Sequence, residues 1–418
     1  MKNLRPYQHS LSKKAVKILR SKMIVYLSME VRTGKTATSL NIAKLYNSKN
    51  VIFLTKKKAI SSIESDYIEF GFDNHFELTV INNESMHKVT GTFDLVIHDE
   101  SHRFGSFPKP SKGAKEFKLR FGSLPIILLS GTPTPEGYSQ IYHQFWISKF
   151  SPFGETNFHK WAKNYVNVFQ INFGYGLVNN YSKAKIEEVK KVIDPYMVSF
   201  TQKEAGFITK VKENILQCEM SEITYKIADR LRKDLVIEGA DEIIMADTAV
   251  KLMSKLHQIY SGTIKFESGK TKVLDHSKAE FIKSKFEGKK IGIFYKFKAE
   301  FDALKDVFGD NLTNDISEFD NSNKNIALQI VSGREGISLK KADYLVYYNL
   351  DHSATSYWQS RDRLTSMERK LNDVFFIFAK GGIEDNIYES VVKKKNYTLS
   401  HFKRDYEIKL SNKNNPTI

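Results

Sequence analysis

The sequence contains very little cysteine and no long apolar run. Its single cysteine, Cys218, cannot form a disulfide within the chain, which is typical of a reducing cytosol, and the residue is expected to be a small buried side chain. No apolar stretch is long enough to cross a membrane, and residues 1–6 lack the apolar core of a signal peptide. We therefore expect a cytoplasmic protein with no membrane partner.

Patterns that would indicate accessory chemistry are also missing. The sequence has no zinc-finger spacing, no aromatic RNA-binding signature and no nuclease-like metal cluster. It does have positive charge: 64 lysines and arginines against 48 acidic residues give a net charge of +16. A basic excess of this size favours nucleic acid as a partner. A coding bias towards lysine, asparagine and isoleucine would produce the same excess.

The length and the apolar pattern predict two α/β domains. A chain of 418 residues is too long for one compact core. Near-continuous apolar runs alternate with amphipathic stretches in both halves, which indicates parallel sheets covered by helices on both faces. The predicted strands are residues 51–54, 95–98 and 126–129, then 291–295, 326–331, 344–349 and 374–379.

The alternation breaks between residues 151 and 200. This segment is aromatic and rich in asparagine and glycine, then helical over 183–193, and we interpret it as an insertion or connector. We expect an N-terminal domain of residues 1–205 that includes it. A C-terminal domain of residues 206–418 would follow and end in a short polar tail near residue 410.

The most informative motif is an apolar strand that ends in Asp99 and Glu100, followed by His102. One carboxylate at a strand end can hold Mg²⁺, and its neighbour can polarise a water for attack on phosphorus. Upstream, residues 32–36 form a Gly-Lys-Thr turn between an apolar run and a helical pattern. Its backbone N–H groups and lysine would hold phosphates, and its hydroxyl would bind Mg²⁺. Each motif recurs by chance, but together in this order they predict an NTPase.

These two motifs belong to a longer series that resembles the superfamily-2 helicases and translocases. The resemblance is nearest to the Swi/Snf-like double-stranded-DNA motors, in the compact form seen in bacteriophage genomes, and it runs from about residue 4 to residue 395. In chain order, residues 4–8 resemble the adenine-reading glutamine motif, 34–36 motif I, 51–57 motif Ia, 80–85 the next DNA-side motif, 99–102 motif II, 129–133 motif III, 293–295 motif IV, 332–339 motif V and 359–363 the start of motif VI.

The resemblance implies two tandem RecA-like domains, each a parallel sheet covered by helices, with ATP and Mg²⁺ in the cleft between them. It implies an ATP-dependent DNA helicase or translocase that prefers duplex DNA, located in a bacterial host's cytoplasm if the chain is phage-encoded. The implied catalytic residues are Lys35, Glu100, His102 and Arg363; the nucleotide contacts are Gln8, Arg32, Thr33, Gly34, Lys35, Thr36, Asp99, Gly336 and Arg361; the Mg²⁺ ligands are Thr36 and Asp99; and the nucleic-acid contacts are Thr55, Lys56, Lys57, Asn82 and Ser332.

Several of these residues have simpler explanations. Gln8 could be a surface glutamine, and Lys56 and Lys57 could form a solvated charged face. His102 could only cap a loop, although the resemblance implies that it couples the nucleotide to motif III. Ser130 could merely form the turn before Pro133.

The chain departs from the family pattern in motif I and in motif VI, the two motifs expected to contact phosphates. Met29 stands where a glycine is usual, a change that superfamily-2 proteins tolerate, and Arg32 replaces a small residue. In motif VI, Ser366 occupies the position of the second arginine. The arginine that contacts the γ-phosphate must then be Arg363, Arg361 or Arg369. A helix that begins near residues 353–355 would place Gln359 and Arg363 on one face and Arg361 nearly opposite, which makes Arg363 the first choice.

Two alternative functions remain open. The chain could be an RNA helicase, although the variant of motif II and the spacing around motif V favour DNA. It could also be a nucleic-acid-binding assembly factor that uses ATP only as a switch. The intact Glu100 argues against a switch, because such a protein tends to lose the carboxylate that orients water.

Overall fold

The computed structural model describes residues 2–135, 137–172, 177–207, 210–238, 242–333, 337–365 and 369–393. Contacts between Cα atoms divide the chain into two compact units, Met1–Phe207 and Ile208–Ile418. The division falls two residues after the boundary expected from the sequence. The polar tail near residue 410 lies outside the described residues.

Unit 1 is built on a six-stranded sheet. The described strands of unit 1 are β1 (Ile24–Met29), β2 (Asn50–Thr55), β3 (Glu77–Asn82), β4 (Leu95–His98), β5 (Ile126–Ser130), β6 (Phe169–Asn172), β7 (Leu177–Asn180) and β8 (Met197–Phe200). Strands β6 and β7 form a separate hairpin. The described helices of unit 1 are α1 (Pro6–Lys22), α2 (Lys35–Tyr46), α3 (Ile60–Glu69), α4 (Lys112–Phe121), α5 (Ile141–Trp146), α6 (Phe158–Tyr165) and α7 (Ile186–Ile193). The sheet order is β3-β2-β4-β5-β1-β8, and every pair is parallel.

Successive residues of the central strands pack on opposite faces of this sheet. Tyr26 and Ile126 belong to one buried cluster, whereas Leu27 and Ile127 belong to another. Because side chains alternate along a strand, the two clusters lie on opposite faces. Both faces are therefore covered, which explains why the strands appear in the sequence as near-continuous apolar runs.

Unit 2 is built on a second six-stranded sheet. Its described strands are β9 (Lys210–Cys218), β10 (Val236–Glu238), β11 (Ile243–Met245), β12 (Thr263–Lys265), β13 (Thr271–Val273), β14 (Ile291–Tyr295), β15 (Leu312–Thr313), β16 (Asn325–Gln329), β17 (Tyr344–Tyr347) and β18 (Leu371–Ala379). Its described helices are α8 (Glu222–Asp234), α9 (Ala249–Ile259), α10 (Ser277–Lys285), α11 (Lys298–Phe308), α12 (Ile316–Asn321), α13 (Ile330–Gly333), α14 (Ala354–Arg361) and α15 (Glu384–Val392).

The second sheet has the order β15-β16-β14-β17-β18-β9, again with parallel pairs throughout. A fully buried ion pair joins α10 to α15, with Lys278 Nζ 2.6 Å from Glu384 Oε1. Lys278 also donates to the carbonyl of Tyr348 at 3.3 Å, so the buried ammonium has two acceptors. Two parallel sheets flanked by helices confirm the predicted fold class of two tandem RecA-like domains.

Several predicted elements differ in extent, among them β18, which begins at Leu371, and α7, which begins at Ile186. The apolar run 326–331 is a strand only as far as Gln329, after which α13 begins. The run 344–349 ends as a strand at Tyr347. The expected insertion 151–200 contains α6, the β6–β7 hairpin and α7, but its last residues form β8, which pairs with β1 in the main sheet. Within the described part of the chain, no helix has both the length and the apolar character needed to cross a bilayer.

Candidate active site

The turn between β1 and α2 has a left-handed backbone at two positions, Arg32 with φ of 64° and Gly34 with φ of 82°. A Cβ on Gly34 would lie 2.2 Å from Gln8 Nε2, so a larger residue would displace the Gln8 amide in addition to straining the backbone. Arg32 adopts the same region with a side chain, which carries a conformational cost. Thr33 is buried and its hydroxyl donates to the Glu30 carbonyl at 2.7 Å. The turn ends where the first N–H groups of α2 lack helical acceptors, and such an end favours phosphate oxygens.

Lys35 is the first residue of α2, and its ammonium lies at the carboxyl ends of the central strands. Its Nζ donates to the carbonyl of Met29 at 3.0 Å, and the Glu30 carbonyl lies at 3.4 Å. Gly131 lies just after β5, and a Cβ atom at this glycine would be 3.5 Å from Lys35 Nζ. Thr36 follows in the first turn of α2. The predicted phosphate residues are thus held at one edge of the sheet.

Gln8 joins the start of α1 to the phosphate turn. Its side-chain Oε1 accepts from the Arg5 N–H at 2.8 Å, and its Nε2 donates to the Gly34 carbonyl at 3.2 Å. The neighbouring Tyr7 hydroxyl donates to the Thr33 carbonyl at 3.1 Å. An amide has two N–H donors and two acceptor lone pairs, so each end of the Gln8 side chain keeps capacity for one more hydrogen bond.

Asp99 and Glu100 follow β4 at the same edge. Asp99 Oδ2 accepts from the Thr55 hydroxyl at 3.0 Å, and Asp99 Oδ1 accepts from the Glu100 N–H at 3.0 Å. Glu100 itself has a φ of 53°. Thr55 was expected among the nucleic-acid contacts, but its side chain is fully buried at the end of β2. Its hydroxyl therefore positions the Asp99 carboxylate and is not presented to a nucleic acid.

The two carboxylates differ in their proton affinity. Burial raises the pKa of Asp99, and the adjacent Glu100 charge raises it further. Burial also acts on Glu100, but the contact with His102 and the positive charges of Lys35 and Lys56 hold its pKa below the usual range. Glu100 is therefore ionised, whereas the charge on Asp99 is only partly compensated by the protein.

A Mg²⁺ ion fits this donor set. The Thr36 hydroxyl and the Asp99 carboxylate are hard oxygen ligands, and a divalent cation would compensate the Asp99 charge. Among the described residues, no group of three or more histidine, cysteine, aspartate or glutamate side chains is placed to hold a metal. Few protein ligands are expected for Mg²⁺, since it usually binds one or two carboxylates together with substrate phosphates and water.

His102 links these carboxylates to the end of β5. Its Nδ1 lies 3.1 Å from Ser130 Oγ and 3.1 Å from Glu100 Oε2. Ser130 Oγ also accepts from the Thr132 N–H at 3.1 Å. Ser130 thus does more than form the turn before Pro133, because it connects motif II to motif III.

Sequence reasoning missed a buried glutamine that supports this turn. Gln144 Nε2 donates to the Pro133 carbonyl at 2.7 Å, and its Oε1 accepts from the Tyr26 hydroxyl at 2.7 Å. A lone glutamine in an aromatic stretch gives no signal of this role, since it depends on how α5 packs against β1.

The remaining nucleic-acid candidates of unit 1 lie at the same edge of the sheet. Lys56 is half-buried and Lys57 is exposed, directly after β2. Asn82 ends β3, and its Nδ2 donates to Glu84 Oε2 at 3.3 Å. Ser332 lies in α13, but its side chain, like the whole of Gly336, is outside the described structure.

In unit 2, Arg363 joins motif VI to motif V. Helix α14 begins at Ala354, capped by Ser353, and ends at Arg361. The continuous helix expected through Arg363 is replaced by a 3₁₀ turn over Asp362–Leu364. Arg363 is 8% exposed, and its Nε donates to the Gln359 carbonyl at 2.9 Å while its Nη1 donates to the Ile337 carbonyl at 3.1 Å.

The other two arginine candidates also contact residues of unit 2. Arg361 Nη1 lies 3.1 Å from Glu213 Oε1, and its guanidinium covers the Trp358 ring at 4.3 Å. Arg369 donates to three backbone carbonyls, those of Ala342, Asp343 and Leu371. Since all three guanidinium groups have partners within unit 2, the preference for Arg363 as a γ-phosphate contact rests on its four-residue spacing from Gln359.

Comparisons with known proteins indicate the family of the chain. Residues 15–276, more than half of the chain, match the SNF2-related domain. Among curated proteins, no relative matches. A solved structure that resembles the chain is the SWI2/SNF2 ATPase core of Sulfolobus solfataricus in complex with dsDNA. It is 16% identical, with 94% of this chain and 91% of that chain covered and a TM-score of 0.43. The match to the SNF2-related domain gives no indication of a bacteriophage origin.

Proposed function

Because this chain belongs to the SNF2-related domain family, we propose that it hydrolyses ATP in a DNA-dependent manner and moves along double-stranded DNA. The observation that carries this proposal is the set of side chains at the carboxyl edge of the first sheet. Lys35 begins the helix that follows β1, whereas Asp99, Glu100 and His102 follow β4, and ligands of open α/β sheets bind at this edge.

Each of these residues has a distinct role in the proposed reaction. Lys35 and the start of α2 bind the phosphates of ATP. Gln8 recognises the adenine base through its remaining hydrogen-bonding capacity. Thr36 and Asp99 hold Mg²⁺, which when bound neutralises charge on the phosphate oxygens. Glu100 orients the attacking water, and its lowered pKa keeps the carboxylate ionised, so that it can accept a hydrogen bond from that water.

Movement requires that hydrolysis be linked to DNA contacts. Lys56 and Lys57 follow β2 and Asn82 ends β3, at the edge that also carries Asp99, and the chain has a net charge of +16. We propose that these residues and Ser332 contact DNA, while Arg363 stabilises charge on the transferring phosphoryl group. For that contact Arg363 must leave the carbonyls of Gln359 and Ile337.

The deciding experiment compares ATP hydrolysis by the full chain with blunt duplex DNA, single-stranded DNA and RNA of equal length. We expect the strongest stimulation with duplex DNA. Binding should weaken steeply with salt, because lysine contacts to phosphates release counterions. Stimulation by RNA alone would assign the chain to the RNA helicases instead.

Two variants separate nucleotide binding from chemistry. Lys35→Ala should weaken both ATP binding and hydrolysis, because it removes a charge from the phosphate site. Glu100→Gln should keep ATP binding and lose hydrolysis, because only the activation of water is changed. Hydrolysis by Glu100→Gln at near the parent rate would remove Glu100 from its proposed role. A parent protein that binds ATP without turnover under all conditions would indicate a switch.

A further inference from the structure

The hairpin of β6 and β7 extends beyond the core of unit 1. At its base, Val166 bridges Ala184, and Val166 and Tyr181 belong to the buried core cluster. Beyond this base, no apolar residue of the two strands belongs to a buried cluster of the described structure. A two-stranded ribbon is only marginally stable alone in water, so a partner that covers its apolar side chains would stabilise it.

One face of this ribbon is apolar. Antiparallel pairing sets Ile171 opposite Val178 and Phe169 opposite Asn180, and these four residues share a face because side chains alternate along each strand. Val178 is 44% exposed, and the Phe169 and Ile171 side chains are half-buried. We call Phe169, Ile171 and Val178 the apolar face of the ribbon.

The opposite face is mainly polar. Gln170 pairs with Asn179, and their side chains are hydrogen-bonded at 3.3 Å. Leu177, which is 64% exposed, also lies on this face. The two faces therefore differ in chemistry, although both carry an exposed aliphatic residue.

The charge around the ribbon selects the kind of partner. Residues 156–186 contain no aspartate or glutamate, whereas the whole chain has 48 in 418 residues. The same segment contains Lys160, Lys163, Lys183 and Lys185. The Lys183 ammonium lies 4.6 Å from the centre of the Phe169 ring, at the apolar face itself. An apolar face with Lys183 at its edge, in a segment that contains four lysines and no carboxylate residue, fits a polyanion that also offers apolar surface.

We propose that the apolar face of the ribbon binds the bases of single-stranded DNA while the surrounding lysines contact its phosphates. Aromatic and aliphatic side chains beside a basic border are how proteins bind unpaired strands without sequence preference. Intact duplex DNA does not offer this contact, because its base faces are stacked on one another. The choice of DNA rests on the proposed function, which this contact extends from the duplex to separated strands.

The test measures binding of labelled oligothymidylate and of a blunt duplex of equal length, without nucleotide. The double variant Phe169→Ser/Val178→Ser removes the apolar face and keeps every charge. We expect it to bind oligothymidylate about tenfold more weakly, as for the loss of base stacking, with duplex binding and duplex-stimulated ATPase unchanged. Leu177→Ser is the matched control, because Leu177 is more exposed than Val178 but lies on the other face.

Photocrosslinking of the parent protein to bromodeoxyuridine-containing single strands gives a second measurement that does not depend on folding of the variant. Crosslinks on residues 166–172 or 177–184 would support the proposal, and crosslinks confined elsewhere would overturn it.

Unchanged oligothymidylate binding by the double variant would also overturn it, as would an equal loss for Leu177→Ser or for the duplex. If the double variant only changes self-association, the ribbon is a contact between copies of this chain. If duplex DNA does not stimulate the ATPase of the unmodified protein, the proposed function is wrong. The binding of single-stranded DNA by the ribbon is still judged from the oligothymidylate measurement alone.

Discussion

His102 Nδ1 lies 3.1 Å from Ser130 Oγ, and this contact joins the segment after β4 to the segment after β5. The same histidine lies 3.1 Å from the Glu100 carboxylate, and the same serine accepts from the Thr132 N–H. A change at the Glu100 carboxylate can therefore reach the turn before Pro133 through the side chains of His102 and Ser130. Coupling between two such sites is a free energy that variants can measure.

Ser130→Ala should reduce stimulation of ATP hydrolysis by DNA about tenfold, within the range typical of coupling between sites. Hydrolysis without DNA should change little, because Lys35 and Glu100 remain in place. His102→Ala should reduce this stimulation at least as much, because it also removes the contact with Glu100. The double variant should be no worse than His102→Ala, since the contact between His102 and Ser130 is already lost in it. Ser21→Ala, an exposed serine of α1, is the control. Additive losses in the double variant would contradict this link.

Thr55 controls how Asp99 is presented. Its hydroxyl donates to Asp99 Oδ2 at 3.0 Å, so Thr55→Val removes the hydrogen bond with little change in volume. We expect the Mg²⁺ concentration for half-maximal ATPase to rise about tenfold, the usual effect of losing a group that orients a metal ligand. Thr55→Ser keeps a hydroxyl and should restore the parent value. An unchanged Mg²⁺ dependence in Thr55→Val would contradict the positioning role.

Asp275 makes the free energy of unfolding of unit 2 depend on pH in the acidic range. Burial alone would raise the pKa of its carboxyl, but hydrogen bonds from Ser277, Thr224 and Ser221 lower it to about 2. The folded pKa lies below the ordinary value of 3.8, so the carboxylate stabilises the fold above that pH. This contribution, about 2 kcal/mol, is lost as the pH falls from 3.8 towards 2.

Asp275→Asn should therefore lower the free energy of unfolding at neutral pH and weaken its dependence on pH below 4. Denaturant unfolding at a series of pH values would measure this. Asp310→Asn, at an exposed aspartate of the same unit, should behave like the parent. Parallel pH profiles for Asp275→Asn and the parent would show that the carboxylate does not carry the effect.

The sequence predicts the site best where local structure decides it. The Gly-Lys-Thr turn begins a helix at Lys35, and the apolar run before Asp99 ends a strand at His98, both from residues adjacent in the chain. The contact between Thr55 and Asp99 depends instead on the register that sets Leu54 beside His98. A register between strands far apart in sequence leaves no local pattern, so the role of Thr55 could not be predicted.

The same reasoning explains the errors in element length. The apolar run 326–331 resembles a single strand, because buried strands and short buried helices have the same apolar composition. The structure ends β16 at Gln329 and continues as α13. In the β6–β7 hairpin, the pairing that separates an apolar face from a polar one is likewise set by register, which composition does not reveal.

Arg361 is expected to matter for stability more than for hydrolysis. Its guanidinium pairs with Glu213 at 3.1 Å, and Glu213 also accepts from the hydroxyls of Tyr357 and Tyr388. Arg361→Ala leaves that carboxylate with two neutral donors, so the midpoint of thermal unfolding should fall. If the folded Arg361→Ala protein lost all DNA-stimulated hydrolysis, Arg361 would be a site residue after all.

Arg363 is the arginine expected to act on the nucleotide. Two of its partners, the carbonyls of Gln359 and Ile337, are neutral acceptors, which a charged phosphate can replace because charge-assisted hydrogen bonds are about twice as strong. An arginine at a phosphoryl-transfer site contributes roughly a thousandfold or more to turnover. Arg363→Ala should therefore bind ATP nearly as the parent does and lose DNA-stimulated hydrolysis, measured as kcat beside a nucleotide-binding titration. Arg363→Lys keeps the charge without the forked donors and should recover little. Full activity of Arg363→Ala in a folded protein would exclude Arg363 and return the role to Arg361.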